Sequence, residues 1–181
     1  MRKLALFFSF FTVSCLLMHL KAAEPPQGPR FLPEVVLGGM PFRQIELALT
    51  KAEMRRGLMG RTYLAEDGGM LFFYGQPQIA SFWMKNTRLP LDVLFLDEQG
   101  VVLQVSTMQV EPPRELAESE ETYENRLKSY SCPRLVTSAL EIKAGRAAEL
   151  GLAPGTHIPE LAVRAILQNI MDFSKSVATP E

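Results

Sequence analysis

Apolar residues recur at period two in several short runs along the chain, and turn residues separate those runs. Ile45, Leu47 and Leu49 alternate with more polar neighbours, and residues 34–37 precede them across Gly38-Gly39, which predicts a hairpin. Residues 69–74, 78–86, 91–96 and 101–108 read as four further strands, with turns at 75–77, 87–90 and 97–100. Gly100, after Asp97-Glu98-Gln99, fits a type I turn closed by a glycine bulge. Residues 134–142 return to strand character, and Pro154-Gly155-Thr156 turns into a last short strand. Helical signals are fewer. Thr50-Lys51-Ala52-Glu53 is a capping box, so a short helix starts there and stops before Gly57 and Gly60. Residues 144–150 form a second short helix ending at Gly151, and 159–173 carry Val163, Ile166, Leu167 and Ile170 on one face. The pattern predicts an all-β sandwich or barrel with short helices and an added C-terminal helix. An α+β domain is the alternative if the helical pieces run longer.

The two ends change the picture. Residues 4–18 are almost unbroken apolar behind Arg2 and Lys3, and residues 19–23 supply small side chains for cleavage. This predicts a signal peptide over 1–23, cut after Ala22 or Ala23, in a run too short to span a bilayer. The rival is a lipoprotein signal ending at Cys15, but Thr12 sits where Leu is usual and Cys15 lies mid-run. The Pro-rich residues 24–33 are then a linker, 34–158 the folded domain, and 159–181 a helix and tail. Within the domain, 111–132 holds Pro112-Pro113, many Glu and two Tyr, and reads as an acidic surface excursion. The expected location is periplasmic or secreted, with no membrane span in the mature chain.

Export alters charge and cysteine content. Losing Arg2, Lys3 and Lys21 takes the balance from −1 to −4, which leaves no basic footprint and excludes nucleic acid as an expected partner. Cys132 is left without an intrachain partner.

The densest chemistry lies in residues 81–97, where the only Trp and a mid-strand carboxylate share a hydrophobic stretch. A hairpin with its loop at 87–90 sets Lys85 opposite Asp92 and Trp83 opposite Leu94, with Asn86 and Arg88 in the loop. An unpaired charge there would cost several kcal/mol, roughly, so Lys85 is the expected partner of Asp92. The reading is either a small binding surface or a rim salt bridge. A second cluster, Met54 to Arg61, puts three arginines around two glycines, as a carboxylate- or phosphate-binding turn or a solvated basic turn; its spacing fits no P-loop or dinucleotide fingerprint.

With Gly57-Leu58-Met59-Gly60-Arg61, Gly69-Met70-Leu71-Phe72, Phe82-Trp83-Met84-Lys85-Asn86-Thr87, Pro90-Leu91-Asp92 and Leu140-Glu141-Ile142-Lys143-Ala144-Gly145, the chain resembles the domain of unknown function 192 family over residues 35–158. The resemblance implies a jelly-roll-like β-sandwich with short helices and no established activity. It places the family's polar signature on Arg61, Lys85, Asn86, Asp92 and Glu141. Met54 stands where many members have Arg, and Thr156 where they often have Asp, so nothing is carried over there.

Other chemistries find little support. Cys132 and His157 lack an orienting third group for nucleophilic catalysis. The methionines that survive cleavage form no Met-x-Met or His-Met cluster, so no metal and no cofactor is expected. Three functions remain. The first is a non-catalytic binding domain for a small polar ligand or an envelope component, using Arg61, Trp83, Lys85, Asn86, Asp92 and Glu141. The second is a hydrolase or lyase with Asp92 and Glu141 as acid and base. The third is a purely structural salt-bridge network. The ligand and the oligomeric state are open.

Overall fold

The computed structural model describes residues 28–178, so the expected leader, Cys15 and the first linker residues lie outside the described residues. In chain order the elements are β1 (Arg30–Phe31), β2 (Val35–Leu37), β3 (Met40–Phe42), β4 (Gln44–Ala48), α1 (Lys51–Arg56), β5 (Gly68–Gln78), β6 (Ser81–Phe82) and β7 (Leu91–Leu96). There follow β8 (Val102–Met108), α2 (Glu120–Arg126), β9 (Tyr130–Ser131), β10 (Val136–Lys143), α3 (Arg146–Glu149), a 3-10 turn (Pro159–Leu161) and α4 (Val163–Ala178). The β-rich class with short helices holds. Six strands form one mixed sheet in the order β1-β4-β5-β10-β7-β8, and the β2–β3 and β6–β9 pairs stand apart from it. Part of the expected linker belongs to this sheet, because β1 pairs with β4.

Two adjoining registers decide where the chemistry goes. One row across the sheet reads Glu46, Met70, Glu141, Val93 and Ser106, and the next reads Ile45, Gly69, Ile142, Asp92 and Thr107. Successive residues of a strand point to opposite faces. Glu141 and Asp92 therefore face away from each other. The Asp92 face packs Leu37, Phe42, Leu94, Leu140 and Ile142 against Leu152, Leu161 and Ile166. The Glu141 face packs Met70, Phe72, Val93 and Phe95 against Leu58, Phe82, Met84 and Tyr130.

Several expected elements are corrected. The expected Lys85–Asp92 hairpin does not form: β7 pairs with β10 and β8, and the short β6 pairs with β9. All six β7 residues are buried, the mark of a central strand needing a neighbour on each side. The chain before it turns instead, with Thr87 N–H donating to the Met84 carbonyl at 3.1 Å and Asn86 at φ +53°. The turn expected at 75–77 is an irregularity inside β5, where the register against β10 shifts and Gly75 adopts φ +73°. Residues 111–132 are not all surface excursion. Ser119 caps α2, Tyr123 is buried within it, and Cys132 lies fully buried in the core of the Glu141 face. Among the residues expected on the inner face of α4, Ile166 is buried but Leu167 is exposed.

The glycine turn at 97–100 forms as expected. Gly100 N–H donates to the Asp97 carbonyl at 3.1 Å, and the Gly100 carbonyl accepts from Ile158 N–H at 2.9 Å. Gly100 has φ +79°, and a Cβ there would sit 2.3 Å from the Ile158 carbonyl oxygen and 2.8 Å from the Ala162 nitrogen. Both obstacles are main chain and cannot rotate away. Gly100→Ala should lower unfolding free energy by at least about 2 kcal/mol in a urea melt; a loss under about 0.5 kcal/mol would refute the close approach.

Candidate functional site

The chain leaves β4, caps α1, and passes through a glycine turn before entering β5. Thr50 and Glu53 make the capping box: Glu53 N–H donates to Thr50 Oγ1 at 3.2 Å, and Thr50 N–H to Glu53 Oε2 at 2.8 Å. The Arg30 guanidinium pairs with the same carboxylate. With its N-terminus held, α1 presents Arg55 and Arg56 in its last turn. Neither guanidinium makes a hydrogen bond or ion pair with any described residue. They stand on the rim of a cleft of about 340 Å³ on the Glu141 face of the sheet, walled by Phe72, Tyr74 and Trp83. That volume falls in the range of roughly 300–1,000 Å³ common to ligand sites.

Glu141 lines this cleft and is only 5% exposed. Met70 and Val93 flank it in the sheet, and its carboxyl makes no hydrogen bond or ion pair with any described residue. Burial pushes the carboxyl up to about 8, because the ionised form loses its hydration with nothing in exchange. At neutral pH it is a carboxylic acid, able to donate one hydrogen bond and accept another. The Tyr74 hydroxyl is likewise pushed up, first by burial and then by the charge Glu141 would carry.

A second cleft, of about 770 Å³, adjoins the first and shares Arg55, Arg56, Met59 and Trp83 with it. Lys85, Glu120 and Glu124 close its far side. Lys85 pairs with both glutamates, and those two contacts raise its pKa. Its Nζ also lies 5.5 Å from the centre of the Trp83 ring. Asn86 joins three segments: its N–H donates to the Tyr123 hydroxyl at 3.1 Å, its Oδ1 accepts from that hydroxyl at 3.4 Å, and its carbonyl accepts from Gly60 N–H at 2.9 Å. The left-handed conformation this requires is one Asn tolerates better than most residues.

Of the six expected site residues, Trp83, Lys85, Asn86 and Glu141 border the clefts; Arg61 and Asp92 do not. Asp92 is buried on the other face, where Oδ1 accepts from the Thr107 hydroxyl at 2.7 Å and Oδ2 from the Ala147 N–H at 3.0 Å. Arg61 forms a two-pronged pair with Glu46, Nη2 to Oε2 at 2.7 Å, and does not reach Glu141. Sequence reasoning missed Glu46, though a carboxylate between Ile45 and Leu47 is a readable signal. It missed Tyr74 altogether, since nothing marks it out in its run. Cys132 and His157 make no contact; the imidazole Nε2 lies 3.0 Å from the Gln99 carbonyl. Among the described residues no group of three or more His, Cys, Asp or Glu is placed to hold a metal ion.

Residues 36–159, which carry β10, the glycine turn and both clefts, match the model of the family DUF192, Uncharacterized ACR. The chain belongs to the DUF192 family. A crystal structure of a protein of unknown function from Novosphingobium aromaticivorans is similar at 34% identity and TM-score 0.59, over 76% of this chain and 90% of that one. Another, from Sinorhizobium meliloti and described as a "putative transcription regulator", is similar at 30% identity and TM-score 0.54, over 72% of this chain and 92% of that one. No curated protein matches. All of α4 lies beyond the part of the chain that DUF192 covers.

Proposed function

We propose that this DUF192 domain binds a small polar ligand carrying a carboxylate or phosphate, in the cleft between Arg55, Arg56, Trp83 and Glu141. The unpartnered carboxyl of Glu141, buried beneath two unpaired arginines, carries the proposal. A network that served the fold alone would satisfy its own charges, as Arg61 with Glu46 and Asp92 with Thr107 and Ala147 do. The arginines suit the anionic group through forked hydrogen bonds, and the protonated Glu141 suits a carbonyl or hydroxyl oxygen deeper in the cleft. If the chain is exported as its N-terminus suggests, the ligand belongs to the cell envelope or its surroundings.

Acid–base catalysis by Asp92 and Glu141 has no geometric support, since the sheet separates the two carboxyls. Glu141 is the only carboxylate among the described residues that line its cleft. Hydrolases that work with a carboxyl pair need both carboxyls in the one cleft that holds the substrate, flanking the bond to be cleaved.

Titration of the purified protein with succinate and with inorganic phosphate, followed by amide NMR, tests the proposal. Shifts should concentrate at residues 54–60 and 141. The double substitution Arg55→Ala/Arg56→Ala should weaken binding at least tenfold while changing stability by less than about 0.5 kcal/mol, because both side chains are exposed. Affinity should also fall as pH rises through about 8, where Glu141 ionises and repels the anion. Shifts that miss the cleft, or a double variant that binds as well as wild type, overturn it.

A further inference from the structure

Trp83 stands at the junction of the two clefts, with Arg55 and Arg56 beside it on both sides. Trp83 is 40% exposed, although β6 next to it contributes Phe82 to the core. Lys85 lies against the ring, and Glu120 and Glu124 tether Lys85 in turn. The indole is therefore a held, partly bare platform rather than a loose surface side chain. Polar side chains surround it: Gln78 and Ser81 on the first cleft, Asn86 on the second.

We infer that the two clefts form one groove across Trp83 and that its ligand is an acidic oligosaccharide, with a pyranose ring on the indole and a uronate carboxylate at Arg55 and Arg56. The inference rests on the anion-binding reading above and deepens it. A sugar ring has a C–H face that packs on an aromatic plane and a rim of hydroxyls that needs hydrogen bonds at its edges. The groove offers that combination on both sides of Trp83. Charge placement selects the chain type. Unpaired Arg55 and Arg56 sit where the two clefts meet and Lys51 adds a third cation on the second, while Glu120 and Glu124 occupy its far end and answer Lys85. A phosphodiester chain, charged at every unit, would run into those glutamates; a saccharide spaces its carboxylates among neutral hydroxyls. At the other end, the carboxyl of Glu141 meets a hydroxyl or ring oxygen without a partner of its own to give up.

Trp83 is the only tryptophan in the chain, so its fluorescence reports on the platform directly. The probes are 2-O-α-glucuronosyl-xylobiose, which carries one carboxylate among neutral hydroxyls, the neutral xylotriose, succinate and an oligothymidylate. The acidic trisaccharide should shift the Trp83 emission and bind at least tenfold more tightly by calorimetry than either succinate or xylotriose. In Trp83→Ala the preference for the acidic trisaccharide over succinate should collapse to near unity, and Trp83→Phe should restore part of it, with melting temperatures confirming both folds. If the acidic trisaccharide binds no better than succinate, or the emission does not respond, the saccharide inference fails and the anion site stands. Tighter binding of oligothymidylate overturns it in favour of nucleic acid. If neither succinate nor the acidic trisaccharide binds, both readings fail together.

Discussion

Glu141→Gln should leave stability nearly unchanged at pH 4.5 and raise it progressively above that, by several kcal/mol at pH 8 to 9. The carboxyl keeps its proton in the folded protein up to about pH 8, against an ordinary value of 4.5 in the unfolded chain. Between those values the folded state binds one more proton than the unfolded state, so the contribution of Glu141 to stability declines as pH rises. The decline is about 1.4 kcal/mol per pH unit and levels off above pH 8. Glutamine has nearly the same shape and no charge to bury, so it escapes the decline. Subtracting the two urea-derived stability curves cancels the other carboxylates, including Glu66, Glu118 and Glu120, whose pairing with Lys143, Arg126 and Lys85 acts at lower pH. Parallel curves from pH 5 to 9 would mean that Glu141 is hydrated or paired in solution.

Asp92→Ala should cost about 3 kcal/mol or more. It removes two hydrogen bonds to a carboxylate, worth about 1.5–3 kcal/mol each, and strands the Thr107 hydroxyl and the Ala147 N–H at the base of α3. Two further measurements locate the effect. Adding Thr107→Val should recover part of the loss, because an unmet hydroxyl then leaves with its partner. Combining Asp92→Ala with Lys85→Ala should be additive within about 0.5 kcal/mol, as expected for side chains on opposite faces of the sheet. Succinate binding should be unaffected. A strongly non-additive Lys85–Asp92 cycle would restore the hairpin pairing that the structure lacks.

That hairpin shows what local reasoning captures and where it stops. The unbroken apolar run of residues 91–96 marks a strand correctly. Which strand lies on its other side from β8 is a question of sheet order, and that neighbour, β10, begins some forty residues on. Choosing the nearer neighbour paired Lys85 with the wrong carboxylate. Glu141 stood out for a sound reason: an acid between Leu140 and Ile142 must be accommodated somehow. Only the register shows that it faces a cleft while Asp92, equally conspicuous, is consumed by Thr107 and Ala147. The arginine-rich turn was visible as a group, yet its division into a paired Arg61 and unpaired Arg55 and Arg56 depends on Glu46, which reaches Arg61 only through tertiary packing. The acidic stretch hid Tyr123 for a similar reason. Composition averages over a segment, and one buried anchor among many glutamates does not move the average.

The parallel pairing of β4 with β5 has a consequence for how such a cleft diversifies. Two strands running the same way cannot be joined by a tight turn, so the chain must leave the sheet and cross back before it can re-enter. In this protein that obligatory detour, residues 49–67, carries the capping box, the two unpaired arginines and the glycine turn. The sheet requires that the detour exist but places few demands on its length or charge. Relatives can therefore lengthen it, recharge it or trim it, and so reshape the cleft, while the strands that hold the acid underneath stay as they are.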